Sequence, residues 1–178
     1  MNSALGVATL PANTTGYYNT AVGWSALKNN TTGAINTASR YGALAHNSDG
    51  NNNVAEGFLA LYNNNSGAQN TATGYQALYY NATGSYNTAL GYGAGPDTNS
   101  TNLTNATAIG GNAIVSQSNA LVLGSPGVNV GIGTATPSNV LTIAKGVGQA
   151  ISDGWATYSS RRWKSNIHTL DRALVKVE

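Results

Sequence analysis

Glycine returns at positions 16, 33, 50, 67 and 84, always 17 residues apart. The same step carries Asn19, Asn36, Asn53, Asn70 and Asn87, and then Ala21, Ala38, Ala55, Ala72 and Ala89. Next comes a glycine column, Gly23, Gly57, Gly74 and Gly91, broken only by Arg40. The following position is always aromatic: Trp24, Tyr41, Phe58, Tyr75 and Tyr92. Ala26, Ala43, Ala60, Ala77 and Ala94 follow, then Leu27, Leu44, Leu61 and Leu78, then a second asparagine column at Asn30, Asn47, Asn64 and Asn81. A unit of this length is too short for a helical-hairpin repeat, which needs more than about 30 residues. It suits one coil of a β-solenoid, with two short strands and two turns.

Composition agrees with a stacked architecture. The 178 residues include 33 Leu, Ile, Val and Phe, little for a compact core, yet the formal net charge is only +2. Such a chain lacks the charge of a typical disordered sequence. In a repeat protein each coil is stabilised by its neighbours. Alanine and glycine are poor strand formers by themselves, so stacking must supply what propensity does not.

Column identity predicts which way side chains face, because strand residues alternate between faces. The uniform alanine column, Ala21 to Ala89, belongs inside the coil with the leucine column. The neighbouring column, Val22, Ser39, Glu56, Thr73 and Leu90, tolerates an acid and reads as outward. The asparagine columns are expected at turns, where they bond local backbone and accept left-handed geometry, and stacked asparagines can form amide ladders.

After residue 100 the period shortens. Thr107 to Ile114 aligns with Thr20 to Leu27, and Asn105-Ala106 recurs as Asn119-Ala120, a step of 14. Residues 1–13 read as a lead-in, 14–127 as the repeat body, and 128–158 as a neck broken by Gly131, Gly133 and Pro137. Residues 159–178 change pattern. Ile167, Leu170, Leu174 and Val177 make an apolar stripe that predicts a short C-terminal helix capped by Ser165 or Asn166.

Several function classes are unsupported by the residues. Without cysteine there is neither a disulfide scaffold nor a thiolate metal site. His46 and His168 are far apart and read as surface residues, and the acids lack the spacing of a calcium β-roll, so no metal or cofactor is expected. No apolar run reaches the roughly 20 residues of a membrane-spanning helix, and Met1 to Leu10 lacks the basic start of a signal peptide. Residues 1–158 carry a net charge of −1 and residues 159–178 carry +3, which does not make a nucleic-acid-binding face. A regular threonine array for ice binding is interrupted by Glu56 and Leu90.

The units Asn19-Thr-Ala-Val-Gly-Trp-Ser-Ala-Leu27 and Thr107-Ala-Ile-Gly-Gly-Asn-Ala-Ile114 resemble the head repeats of trimeric autotransporter adhesins of the YadA-like kind. The resemblance covers about residues 14–127. It implies an all-β fold, a left-handed parallel β-roll of 17- and 14-residue coils, assembled as a homotrimer and displayed outside the cell, at a cell surface or on a virion. A second resemblance lies in Val130 to Ser138 and in Ser159-Ser-Arg-Arg-Trp-Lys-Ser-Asn-Ile167, which look like the junction before an endosialidase-type intramolecular chaperone of phage tail fibres. That resemblance implies autocleavage between Tyr158 and Ser159 in a longer precursor, with Ser159 as nucleophile and Lys164 as its base. The chain as it stands is not expected to be an enzyme.

The aromatic column, Trp24, Tyr41, Phe58, Tyr75 and Tyr92, admits two readings. Five rings about one layer apart form a strip on which the sugars of a surface glycan could stack. Alternatively, they pack between rolls or cover the coil edge. The asparagine and threonine columns are expected to satisfy turns rather than bind ligands. The implied partners are the other two chains of a trimer and a surface glycan or protein receptor; otherwise the chain is a spacer in a fibre.

Overall fold

The computed structural model describes residues 1–143. Among them there is no helix. An eight-stranded parallel sheet runs in the order β1-β2-β3-β4-β5-β6-β8-β10. Its first six strands are Ser3–Leu5, Thr20–Val22, Thr37–Ser39, Val54–Glu56, Thr71–Thr73 and Thr88–Leu90; β8 is Thr107–Ile109 and β10 is Leu121–Leu123. Alanines pair with alanines down the centre: Ala4 with Ala21, Ala21 with Ala38, and onward to Ala89 with Ala108. The chain is therefore a parallel β-solenoid. Residues 1–13, read from the sequence as a lead-in, carry the first strand of this sheet.

The facing of the columns follows the alternation rule. Ala21, Ala38, Ala55, Ala72, Ala89 and Ala108 are buried, whereas their outward neighbours Val22, Glu56, Leu90 and Ile109 are exposed. Leu27, Leu44, Leu61 and Leu78 fill the same interior together with the second alanine column. The core is one narrow seam of small residues, with one leucine per 17-residue coil.

The return side of these coils departs from expectation. Each of the 17-residue coils has one three-residue strand, not two. Between strands the backbone turns left-handed at Ser25 and Leu27, and at the equivalent Leu59, Leu61, Gln76 and Leu78, with φ between 50° and 56°. A non-glycine residue in this conformation costs roughly 1–2 kcal/mol. Burying a leucine side chain contributes about 1.5–3 kcal/mol, which offsets that cost at Leu27, Leu44, Leu61 and Leu78. Bonds between coils also hold the turn: the Leu27 amide donates to Ala43 O at 3.0 Å and the Asn29 amide to Ala45 O at 2.9 Å. Among the described residues a second strand pair appears only where the step changes from 17 to 19 and then 14 residues, where β7 (Gly95–Pro96) pairs with β9 (Ile114–Val115). Beyond the main sheet, β11 (Val130–Ile132) pairs in parallel with β12 (Leu141–Ile143).

The asparagine columns form ladders, but inside the coil. Asn36, Asn53 and Asn70 are buried, and each backbone amide donates to the side-chain oxygen of the asparagine one coil earlier at 2.9–3.0 Å. Each also donates its side-chain amide to a glycine carbonyl, as Asn36 does to Gly50 O at 2.8 Å. In the second ladder, Asn47 donates to Asn30 Oδ1 and Asn64 to Asn47 Oδ1. Left-handed geometry falls instead on the residues preceding the first ladder: Tyr18, Ile35, Asn52, Gln69 and Tyr86. The first ladder ends where the step lengthens to 19 residues, with the Ala106 amide donating to Asn87 Oδ1. The C-terminal helix expected from Asn166 lies outside the described residues.

Candidate aromatic binding face

The coil step brings all five aromatic residues of the column together. Ring centroids are 4.6 Å apart for Trp24–Tyr41, 5.0 Å for Tyr41–Phe58, 5.2 Å for Phe58–Tyr75 and 4.9 Å for Tyr75–Tyr92. The interplanar angles are 23° and 14° for the first two pairs and 5° and 6° for the last two. Each ring stays 40 to 59 % exposed. Because the rings stack on one another, the faces of Tyr41, Phe58 and Tyr75 are turned toward neighbouring rings. What the inner rings offer to solvent is their edges.

A second aromatic column lies beside the first. Tyr62 and Tyr79 stack with centroids 5.6 Å apart at 2°, and the His46 ring lies 4.4 Å from Tyr62 at 44°. His46 is exposed, and it takes part in this column. Sequence reading missed Tyr62 and Tyr79 because only two coils carry an aromatic residue there. Their separation, one full repeat, was the available signal.

Between the two columns runs the series Ser25, Gly42, Leu59, Gln76 and Gly93. Where this series is glycine, a cavity opens. The one at Gly42 holds about 180 Å³ and lies between Trp24 and Tyr41 on one side and His46 and Tyr62 on the other. Ser25 lines it at 5 % exposure, and its hydroxyl is buried with no hydrogen-bond partner. A buried hydroxyl left unpaired costs about 1–3 kcal/mol. Lys28 and Asn29 line the same cavity and are exposed.

The cavity at Gly93 holds about 230 Å³ and lies among Gln76, Tyr79, Tyr80 and Asp97. Asp97 is already engaged. The Ser100 hydroxyl, then the Asn99 amide, hold its carboxyl below the ordinary value, and the Ser116 hydroxyl adds to the effect. The Asn99 amide donates to Asp97 Oδ1 at 3.0 Å and the Ser116 hydroxyl to Oδ2 at 3.2 Å.

Ser159 and Lys164, expected as an autocleavage pair, lie outside the described residues. Among the described residues no three His, Asp or Glu side chains are grouped to hold a metal ion, and no helix is long and apolar enough to cross a membrane. No protein family, curated protein or solved structure matches this chain.

Proposed function

We propose that this chain is a fibre head or shaft segment that mediates adhesion or receptor binding at a cell or virion surface, as a homotrimer of left-handed rolls. The observation that carries the reading is the paired aromatic columns exposed along a parallel stack of coils. Such a surface is rigid before it meets a partner, so little ordering is lost on contact. Threefold display would add avidity to weak single contacts.

The strand face suits the contact between rolls. It carries exposed Leu5, Val22, Leu90, Ile109, Leu121 and Leu123, with Glu56 as its acid. The aromatic column already covers much of its own ring surface by stacking, which leaves it free to face outward. Light scattering on the purified chain tests the assembly: three times 18.2 kDa is expected. Leu90→Glu is expected to reduce that mass to a monomer's while the fold persists.

A structural spacer is the second reading, and one observation favours it: the inner rings of the column have no free face. A glycan-binding screen with Trp24→Ala and Tyr75→Ala separates the two. Binding lost in the variants supports the adhesin; no binding by the parent chain supports the spacer. Self-cleavage at Ser159, with Lys164 as base, belongs to a longer precursor. Cleavage that persists in Ser159→Ala would remove it from the reading.

A further inference from the structure

We propose that the cavity at Gly42 is a binding subsite for a sugar ring bearing a carboxylate, a hexuronic acid unit. The proposal deepens the adhesin reading by naming a receptor class, and its experiment lets the two fail separately.

The cavity arises from two small residues in one coil. Gly42 and Ala45 occupy the places that Leu59 and Tyr62 fill one coil later. Gly42 has φ 65°, but Ser25, Leu59 and Gln76 adopt similar values in the same column, so backbone conformation does not demand glycine there. A Cβ on Gly42 would lie 2.6 Å from Leu59 Cδ2, the far end of a flexible side chain, and 3.3 Å from the Tyr62 ring, so a larger residue fits there only if Leu59 shifts. At about 180 Å³ the space is smaller than the roughly 300 Å³ where drug-sized pockets begin. It suits a single ring.

Its walls and floor divide the chemistry. Trp24, Tyr41 and Tyr62 line the cavity with ring edges, an apolar wall for the C–H side of a sugar. Ser25 supplies a hydroxyl that the protein leaves unpartnered, and rotation about χ1 redirects a serine hydroxyl among three staggered positions. Lys28 supplies charge. Lys28 and Arg40 are the two Lys or Arg side chains among the described residues, and only Lys28 lines this cavity. Lys28 makes no ion pair among the described residues, so its ammonium can meet a ligand anion. One ammonium at the rim complements one carboxylate. The Gly93 cavity is the weaker candidate, because the carboxylate of Asp97 is already bonded by Asn99, Ser100 and Ser116.

The experiment is a calorimetric titration of the full chain with a uronic-acid tetrasaccharide, a neutral tetrasaccharide of the same linkage, and a sulfated one. Saturable uronate binding is expected, at least tenfold tighter than the neutral sugar and weakened by added salt. Lys28→Gln is expected to abolish the preference for charge without changing the thermal midpoint. Ser25→Ala is expected to weaken uronate binding several-fold while raising the midpoint, because it removes an unpaired buried hydroxyl. Equal affinity for charged and neutral sugars, a stronger response to the sulfated sugar, no uronate binding, or full binding by Lys28→Gln would each overturn the proposal. Cell adhesion by a chain that ignores uronates would sink this subsite and leave the adhesin reading standing. Uronate binding by a chain that does not adhere to cells would do the reverse.

Discussion

Asn47 donates its side-chain amide to Asn30 Oδ1 at 2.7 Å, and both residues are fully buried. The same amide reaches Gly50 O at 2.9 Å, while Asn47 Oδ1 accepts from Asn64 at 2.8 Å. One side chain therefore joins three coils. Asn47→Ala removes all three bonds and strands buried polar atoms on both sides. At about 1–3 kcal/mol for each unsatisfied group, a loss of roughly 3 kcal/mol or more is expected in denaturant unfolding. Asn29→Ala, one residue from the other rung of that bond but exposed, is expected to cost less than about 0.5 kcal/mol.

Arg40 stands in the glycine column with φ 96°. Relieving a left-handed non-glycine residue gains roughly 1–2 kcal/mol, and the added freedom of the unfolded glycine chain takes back about 0.4–1 kcal/mol. Arg40→Gly is expected to raise stability by about 0.5–1 kcal/mol in chemical denaturation. A lower unfolding midpoint would show that the arginine side chain has a stabilising role that outweighs its backbone.

Phe58 stacks on Tyr41 and on Tyr75 at the middle of the aromatic column. Each aromatic pair is worth about 0.5–1.5 kcal/mol beyond area burial. Phe58→Ala is expected to cost about 1–3 kcal/mol although the ring is exposed. Trp24→Ala, which removes one stacked partner, is expected to cost about half as much. Equal and negligible losses at both positions would mean that the column does not support the roll.

Asp97 supplies a pH test. Its folded-state carboxyl lies below the ordinary value of 3.8 because of the Ser100, Asn99 and Ser116 contacts. A depressed value means that these contacts stabilise the loop fully above the unfolded pKa. They are lost as pH falls through the lowered folded value. The amide signals of Asn99 and Ser116 are expected to titrate together with a midpoint under 3.8, and Asp97→Asn is expected to abolish that titration.

The inside and outside of the strand were legible because the repeat samples each position several times. An invariant alanine beside a column that accepts both Glu56 and Leu90 identifies the crowded side. The return side was not legible. Leu27 and Leu61 turn left-handed against their own preference, held by bonds to adjacent coils and by burial that no single unit contains. The asparagines mislead in a related way. Their ordinary role is in exposed turns, but a ladder that satisfies every amide across coils makes them suitable for the interior. At the candidate site, the Trp24 column was visible as an aromatic residue in every copy, whereas the Gly42 cavity arises from differences between copies. Averaging over repeats hides such a feature.

The shared step of the ladders from Thr20 to Leu90 makes the roll a ruler. Insertion or removal of one whole unit leaves every remaining rung facing the same kind of partner. Length then changes in increments of about 4.8 Å, with no redesign of the interior. The pairing of Gly42 and Ala45 occurs in one coil among the 17-residue units. Copy number gained or lost on either side would shift that coil along the axis unchanged, so reach and recognition can evolve separately.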